Sequence, residues 1–225
     1  MESLIVYDLD GCLIDSDHHL LQPLMDFLHP QVTIHSPGLT MEDFRELTKP
    51  MHHKHGSSIT GWQKHLGLDD DWTNSKFLEC APILAEVVID NITPDELLLQ
   101  ELDAQRSKGA DLAVLTQSHE VYAGLTMQKA GLFRVIKREN VFGQSRSKAL
   151  KTDPSGIAYE EVLKELKAHG KQRFMVENTL ANLVMAREKG FKTALTNVPP
   201  PADMSLLDFY HPTILQTSHA LLLAL

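Results

Sequence analysis

The sequence predicts an α/β fold, in which a doubly wound parallel sheet carries a helical cap inserted after its first strand. Three observations support this prediction. An apolar run at residues 4–7 ends in two carboxylates and a glycine. Four later helical segments each stop at a glycine, and three of them lead promptly into short apolar runs. Residues 16–91, by contrast, show helical patterning without convincing strands. The core should therefore be Rossmann-like.

The opening strand is the most informative segment. Residues 4–7 are apolar throughout, as expected for a buried strand, and Asp8, Asp10 and Gly11 follow them. If the strand continued, the two carboxylates would point the same way and repel one another. A turn at the glycine and a divalent cation would each relieve that repulsion. The pair therefore indicates phosphoryl transfer, with one carboxylate as nucleophile and the other as proton carrier.

Residues 16–91 form the predicted cap, and residues 1–15 together with 92–225 form the predicted core. A lid at this place would cover the end of the first strand, exclude water and select substrates. His52, His53 and His55 suggest zinc as an alternative, but no cysteine lies near them and their spacing fits no closed tetrahedral site. We expect instead a helix that faces solvent or substrate.

The remaining sequence alternates between helices and strands. Thr93, Pro94 and Glu96 predict a helix start with an N-cap, a first-position proline and a capping-box acid. The elements predicted after this helix are a strand at 111–116, a helix at 120–130, a helix at 157–168, a strand at 174–176, a helix at 180–189 and a strand at 192–195. Two further strands are predicted at 135–142 and 212–215. Ligands of such a sheet bind at the carboxyl ends of its strands.

Composition narrows the functional classes. The net charge is −9 and no cluster of Lys and Arg stands out, so binding to a nucleic acid polymer is not expected. The two cysteines, Cys12 and Cys80, are far apart, which argues against a disulfide framework. No apolar run approaches the roughly 20 residues of a membrane span, and the first residues lack a basic leader region. We expect a cytoplasmic protein with a small anionic substrate; the oligomeric state is not indicated.

Polar side chains follow four of the predicted strand ends, where a parallel sheet would gather them into one crevice. Together they supply what phosphoryl transfer requires: a nucleophile, a hydroxyl and a lysine for the phosphoryl oxygens, and oxygen ligands for Mg²⁺. The residues are Asp8, Asp10, Thr116, Gln117, Ser118, Lys148, Lys151, Glu177 and Asn178.

Each of these signals is weaker when taken alone. Threonine ends many strands, so Thr116 gains its meaning from the other motifs. Lys148 and Lys151 compete for the phosphate-binding role, and the Lys-Thr-Asp-Pro sequence favours Lys151. Glu177 and Asn178 could simply begin a helix, although a helix start beside an anion or metal site is compatible with both roles.

In their order along the chain, the motifs resemble those of the haloacid dehalogenase-like hydrolases. The matching segments are Asp8–Ser16, Leu112–Thr116, Lys151–Pro154 and Val176–Asn182. Within that superfamily, the stretch from His52 to Gly67 is similar to the cap of pyrimidine 5'-nucleotidases.

The resemblance implies a role for each matching residue. Asp8 would attack phosphorus and bind Mg²⁺ with its other oxygen. Asp10 would protonate the leaving oxygen and then help a water molecule hydrolyse the aspartyl-phosphate, while its backbone carbonyl faces the metal. Thr116 and Lys151 would hold the phosphoryl oxygens.

The resemblance also places Glu177 and Asn178 at the metal, and we expect Gln117 and Ser118 to contact the substrate. Asn178 stands where the family usually has a carboxylate. An amide still offers an oxygen, but one negative charge is lost. We therefore expect weaker Mg²⁺ affinity and slow catalysis, with Glu177 as a replacement ligand.

The expected function is a Mg²⁺-dependent phosphatase of a small phosphomonoester, with a nucleoside 5'-monophosphate as one candidate substrate. The alternatives are a catalytically weak phosphate-binding or regulatory protein and a sugar-phosphate mutase. Asp10 argues against a dehalogenase, because a halide leaving group needs no proton. A phosphonate hydrolase would need a cap lysine in an apolar setting, and neither Lys49 nor Lys54 has one.

Overall fold

The structure is a computed structural model that describes residues 2–15 and 17–225, without the side chains of residues 17–19 and 53. Ser16, where the predicted cap begins, and the His53 side chain, part of the zinc alternative, lie outside the described part of the chain.

Within these residues the strands are β1 (Ser3–Tyr7), β2 (Ala110–Leu115), β3 (Val141–Phe142), β4 (Gln172–Glu177), β5 (Lys192–Thr196) and β6 (Phe209–His211). The helices are α1 (Asp17–Thr33), α2 (Met41–His55), α3 (Ser58–Leu66), α4 (Asp70–Ile89), α5 (Glu96–Ser107), α6 (Glu120–Lys129), α7 (Gln144–Ser147), α8 (Ile157–Glu165), α9 (Leu180–Glu188) and α10 (Ile214–Ala224). Among the helices described, none has the length and apolar character that crossing a bilayer requires.

All six described strands form one parallel sheet in the order β3-β2-β1-β4-β5-β6. The central strand, β1, pairs with β2 on one side and β4 on the other, so that Tyr7 lies opposite both Val114 and Val176. The chain leaves β1 toward β2 and β3 and then crosses to the other side for β4. The strand order therefore reverses at β1, which is where ligands of such sheets bind. This confirms the predicted fold class.

The sheet is buried on both faces. Ile5 and Tyr7 of β1 belong to one apolar cluster, and Leu4 and Val6 belong to another on the opposite face. This alternation follows from the two-residue period of a strand. It explains why the opening run is apolar at every position rather than at every second one.

The helices α1–α4 lie in sequence between β1 and α5 and share an apolar cluster of their own. Trp62 and Phe44 stack within it with ring centroids 5.0 Å apart, and the Trp62 indole nitrogen donates to Thr48 Oγ1 at 2.7 Å. On the other face of α4, Ala85 and Val88 belong to the same apolar cluster as Ile5 and Tyr7 of β1. These helices thus have a partly separate core, while the exact boundaries of the cap stay a prediction.

The helix after Pro94 begins two residues later than predicted. Asp95 is its N-cap and accepts from the backbone N–H groups of Leu97 and Leu98, at 3.1 and 3.0 Å. The Asp95 carboxylate satisfies donors at the helix start, a role that the sequence prediction gave to Thr93.

Two predicted strands are wrong in extent. Only Val141–Phe142 is extended within 135–142, because Arg138–Asn140 forms a 3₁₀ turn. The other strand, β6, ends at His211 and so lies entirely before the predicted range 212–215. Thr213 caps α10 there through a 3.3 Å bond from the Gln216 N–H.

Two glycine substitutions test the packing of the cap. A Cβ at Gly61 in α3 would lie 2.7 Å from Met51 Cβ in α2, whereas a Cβ at Gly124 in α6 would meet nothing within 4 Å. We expect Gly61→Ala to lower the free energy of unfolding by about 1–3 kcal/mol through overpacking. The matched Gly124→Ala should raise it by about 0.5–1 kcal/mol through helix propensity. Urea denaturation measures both, and an unchanged stability of Gly61→Ala would contradict the close contact between α2 and α3.

Candidate active site

The chain turns sharply where β1 ends. The Asp8 N–H still donates to Val176 O at 2.9 Å and so continues the ladder to β4. Gly11 then adopts a positive φ of 70°, and its N–H donates to Ile14 O at 2.8 Å. A left-handed residue at this point favours glycine. The turn bends the chain at Asp10 away from the direction of β1, as the sequence predicts.

Lys151 lies at the centre of the site. It is buried, and its Nζ donates to Asp8 Oδ1 at 2.6 Å and to Glu177 Oε1. Burial alone would lower the pKa of Lys151, but the two carboxylates outweigh that effect and raise the pKa well above its usual value. Lys148 is instead exposed and pairs with Glu161 at 2.9 Å. Of the two candidate lysines, the structure places Lys151 in the site.

Asp8 lies in an environment with excess negative charge. Burial raises the pKa of this carboxyl to about 8, the neighbouring Glu177 carboxylate contributes to the increase, and Lys151 opposes it. One lysine therefore does not balance the carboxylates gathered at the ends of β1 and β4.

Glu177 stands behind Lys151 rather than in the cavity. Its side chain is fully buried, and both of its oxygens accept hydrogen bonds in addition to the lysine contact. Asn182 Nδ2 donates to Oε1 at 2.6 Å, and the Thr179 N–H donates to Oε2 at 2.9 Å. This arrangement suits an anchor for the lysine better than the metal ligand that the sequence suggests. Asn182 was not among the residues selected from the sequence.

Among the described residues, two hydroxyl groups donate to Asp10. Ser118 Oγ donates to its Oδ2 at 2.8 Å, and Tyr122 OH donates to its Oδ1 at 2.6 Å. Thr116 Oγ1 accepts from the Ser118 N–H at 3.0 Å, which fixes the loop after β2. Tyr122 was missed by the sequence reasoning. The signal that could have found it is its place in the first turn of α6, directly after the loop that carries Thr116 and Ser118.

Gln117 follows Thr116 and faces the same space. Its Nε2 donates to Asn182 Oδ1 at 3.3 Å. Its Oε1 is buried and has no hydrogen-bond partner among the described residues. A buried acceptor without a partner is costly, so this oxygen is suited to accept from a bound ligand.

A cavity of about 550 Å³ joins these residues. From the sheet side it is lined by the predicted residues Asp8, Asp10, Thr116, Gln117, Ser118, Lys151 and Asn178, and by Tyr122 and Asn182. From the cap side, side chains of α1–α4 complete it. A buried carboxylate, a second carboxylate, a hydroxyl and a lysine thus share one cavity. These are the groups that covalent phosphoryl chemistry requires.

The donor set at the cavity fits a hard cation such as Mg²⁺. Asp8, Asp10 and Asn178 all offer oxygen atoms, which are the ligands this ion prefers. With Glu177 the site has three formal negative charges against the single charge of Lys151, and a divalent cation would balance the difference. Among the described residues no three His, Cys, Asp or Glu side chains form a ready metal cluster.

Comparison with solved structures shows a widely shared fold. A HAD phosphatase from Thermococcus onnurineus is 19% identical with a TM-score of 0.65, and the match covers 98% of each chain. A 2-haloacid dehalogenase from Pseudomonas syringae pv. Tomato DC3000 is 17% identical with a TM-score of 0.61, covering 100% of this chain and 99% of the other. The HAD-hydrolase YfnB from Bacillus subtilis, bound to magnesium, is 14% identical with a TM-score of 0.62 and 97% coverage of each chain.

A search of curated proteins found no match. The similarity of the cap to that of pyrimidine 5'-nucleotidases therefore stays a prediction. A family model for the haloacid dehalogenase-like hydrolases matches residues 3–190, which include the sheet from β1 to β4, the cap helices and the four motifs. The chain belongs to the haloacid dehalogenase-like hydrolases.

Proposed function

We propose that the protein is a Mg²⁺-dependent phosphatase that hydrolyses a small phosphomonoester through an aspartyl-phosphate on Asp8. The observation that carries this proposal is the shared cavity. There Asp8 is bonded to the buried Lys151, and Asp10 is held by separate hydroxyl partners. Two carboxylates in such different surroundings are suited to different roles, one as nucleophile and one as proton carrier.

The proposed chemistry has two steps. The Asp8 carboxylate attacks phosphorus, the bond from phosphorus to the ester oxygen breaks, and Asp10 protonates the departing alcohol. Asp10 then takes a proton from a water molecule, which attacks the acyl phosphate, releases inorganic phosphate and restores Asp8. Lys151 and Thr116 hold phosphoryl oxygens, which carry most of the charge in the transition state.

Members of this family typically use Mg²⁺, and Asp8, Asp10 and Asn178 are the residues that would hold it here. When bound, the ion supplies positive charge next to the phosphoryl oxygens. Glu177, with both oxygens already hydrogen-bonded, is better suited to keeping Lys151 charged and in place.

Other reactions of the fold are less well supported. A halide needs no proton, so Asp10 and its two hydroxyl partners would have no purpose in a dehalogenase. Imine chemistry on a phosphonate needs a cap lysine at the substrate, and neither Lys49 nor Lys54 lines the cavity. A sugar-phosphate mutase would use the same core residues and would differ by retaining the phosphoryl group under a closed cap.

A second candidate function is a catalytically weak phosphate-binding or regulatory protein. The observation that favours it is Asn178, a neutral side chain at the cavity where the family usually has a carboxylate. Its Oδ1 accepts from Thr179 Oγ1 at 3.2 Å and so is already partly engaged. A weakly bound metal would leave a site that holds phosphate but turns it over slowly.

The nucleophile is tested by Asp8→Asn. Purified protein with Mg²⁺ and a panel of phosphate esters should release inorganic phosphate, and Asp8→Asn should reduce that release by at least about 10⁴-fold because no acyl phosphate can form. The exposed Asp203→Asn is the matched control and should keep full activity. No release by the wild type, together with stabilisation by phosphate esters in thermal denaturation, would favour the binding protein instead.

The metal site is tested by Asn178→Asp. Restoring a carboxylate adds a negative charge at the proposed ligand, so Mg²⁺ affinity should rise roughly tenfold, as measured by calorimetry. Thr179→Val, which removes the hydroxyl that binds Asn178, serves as a control that leaves the charge unchanged. Equal or weaker affinity in Asn178→Asp would contradict this account of the metal site.

The orientation of Asp10 is tested by Tyr122→Phe. The variant removes the hydroxyl that donates to Asp10 Oδ1. It should therefore slow the hydrolysis of esters whose leaving group must be protonated, by about tenfold for an alkyl phosphate. An ester with an acidic leaving group, such as p-nitrophenyl phosphate, should be nearly unaffected. Tyr7→Phe serves as a control for stability, because it removes a buried hydroxyl that donates to Gln105 Oε1 at 2.8 Å. An equal loss for both esters would show that Tyr122 does not act through proton transfer.

A further inference from the structure

The cavity has two chemically different ends. The sheet side presents the polar groups described above, whereas the cap side is largely apolar. The apolar side chains come from three cap helices, α1, α3 and α4, and they include Leu20, Leu24, Ile59, Phe77, Ala81 and Leu84. Because a phosphate bound at Asp8 and Lys151 occupies the polar end, its leaving group must extend toward the apolar end.

Among the described residues that line the cap side, none is Lys, Arg, Asp or Glu. Lys151, at the polar end, is already bonded to two carboxylates. A second phosphate on the substrate would therefore meet no lysine or arginine among the described cap residues, and its burial there would be unfavourable.

Two of the polar contacts described on the cap side lie within the cap itself. His52 Nδ1 lies 3.1 Å from Ser58 Oγ. Ser57 Oγ accepts from the Thr60 N–H at 3.4 Å as the N-cap of α3. Sugar hydroxyls that reach the cap side would have to compete with these bonds, which weakens their binding.

We propose that the preferred substrate is a monoester whose leaving group is an apolar alkyl or aryl alcohol with no second charged group. The inference rests on the proposed function, which supplies the phosphate at the polar end. It favours a simple hydrophobic alcohol over the nucleoside and the sugar considered from the sequence.

Burial of each further methylene group of the substrate against these side chains should raise kcat/KM by a measurable factor. A primary alkyl phosphate series from ethyl to hexyl should gain about fourfold in kcat/KM for each added methylene, until the chain fills the cavity. Hexyl phosphate and glucose 6-phosphate form a matched pair, since both are six-carbon primary esters. Hexyl phosphate should be preferred by at least about tenfold. A flat series, or a preference for glucose 6-phosphate, would overturn the proposal.

Variants locate the effect in the cap. Leu84→Asn should lower the ratio of hexyl to ethyl phosphate activity by about tenfold. Leu21→Asn should lower the ratio less, and because Leu21 is exposed at the cavity this variant keeps the test valid if Leu84→Asn does not fold. Leu223→Asn, an equally exposed change on α10, is the control. A ratio that stays unchanged in both cavity variants would place the leaving group elsewhere.

Measurements of ligand affinity test this inference independently of the proposed reaction. Asp8→Asn protein does not consume the ester, so calorimetry with hexyl, ethyl and glucose 6-phosphate reports affinity alone. Tighter binding of hexyl phosphate would support the apolar subsite even if the wild type hydrolyses none of the three, in which case only the proposed reaction fails. Equal affinities would overturn the inference whether or not the wild type is active.

Discussion

The site depends on one buried ion cluster, in which Lys151 bridges Asp8 and Glu177. A buried ammonium group is unfavourable unless it is paired, and removing one partner of such a cluster typically costs about 3–5 kcal/mol. The cluster also joins the ends of β1 and β4 to the segment between α7 and α8, three regions that are distant in sequence. The position of Asp8 in the site thus depends on the tertiary structure of the sheet.

The surroundings of Asp8 and Asp10 explain how two neighbouring carboxylates can take different roles. Asp8 is buried next to a cation and another anion, whereas Asp10 lies beyond the Gly11 turn with hydroxyl partners. The cap then closes the cavity with mainly apolar side chains. In the proposed reaction, displacing water from this site would strengthen the electrostatic interactions at the phosphoryl group and leave recognition of the alcohol to hydrophobic contact.

Local patterns predicted most of the fold, because helix ends at glycine and apolar strands are encoded over a few residues. The strands misjudged near residues 135–142 and 212–215 depend on 3₁₀ turns and on the cap at Thr213, which override apolar composition. For the site, the sheet topology gathers residues that follow strands, so those could be foreseen. Tyr122 follows no strand but lies in the first turn of α6, so the search for polar residues at strand ends passed over its contact with Asp10.

The most direct measurement of the central claim is chemical trapping of the covalent intermediate. Rapid acid quenching during turnover, followed by borohydride reduction, converts an aspartyl-phosphate to homoserine, which peptide mass spectrometry can locate. The account predicts homoserine at position 8 and none in Asp8→Asn protein. Steady release of phosphate with no modified residue, or with the modification at another carboxylate, would contradict it.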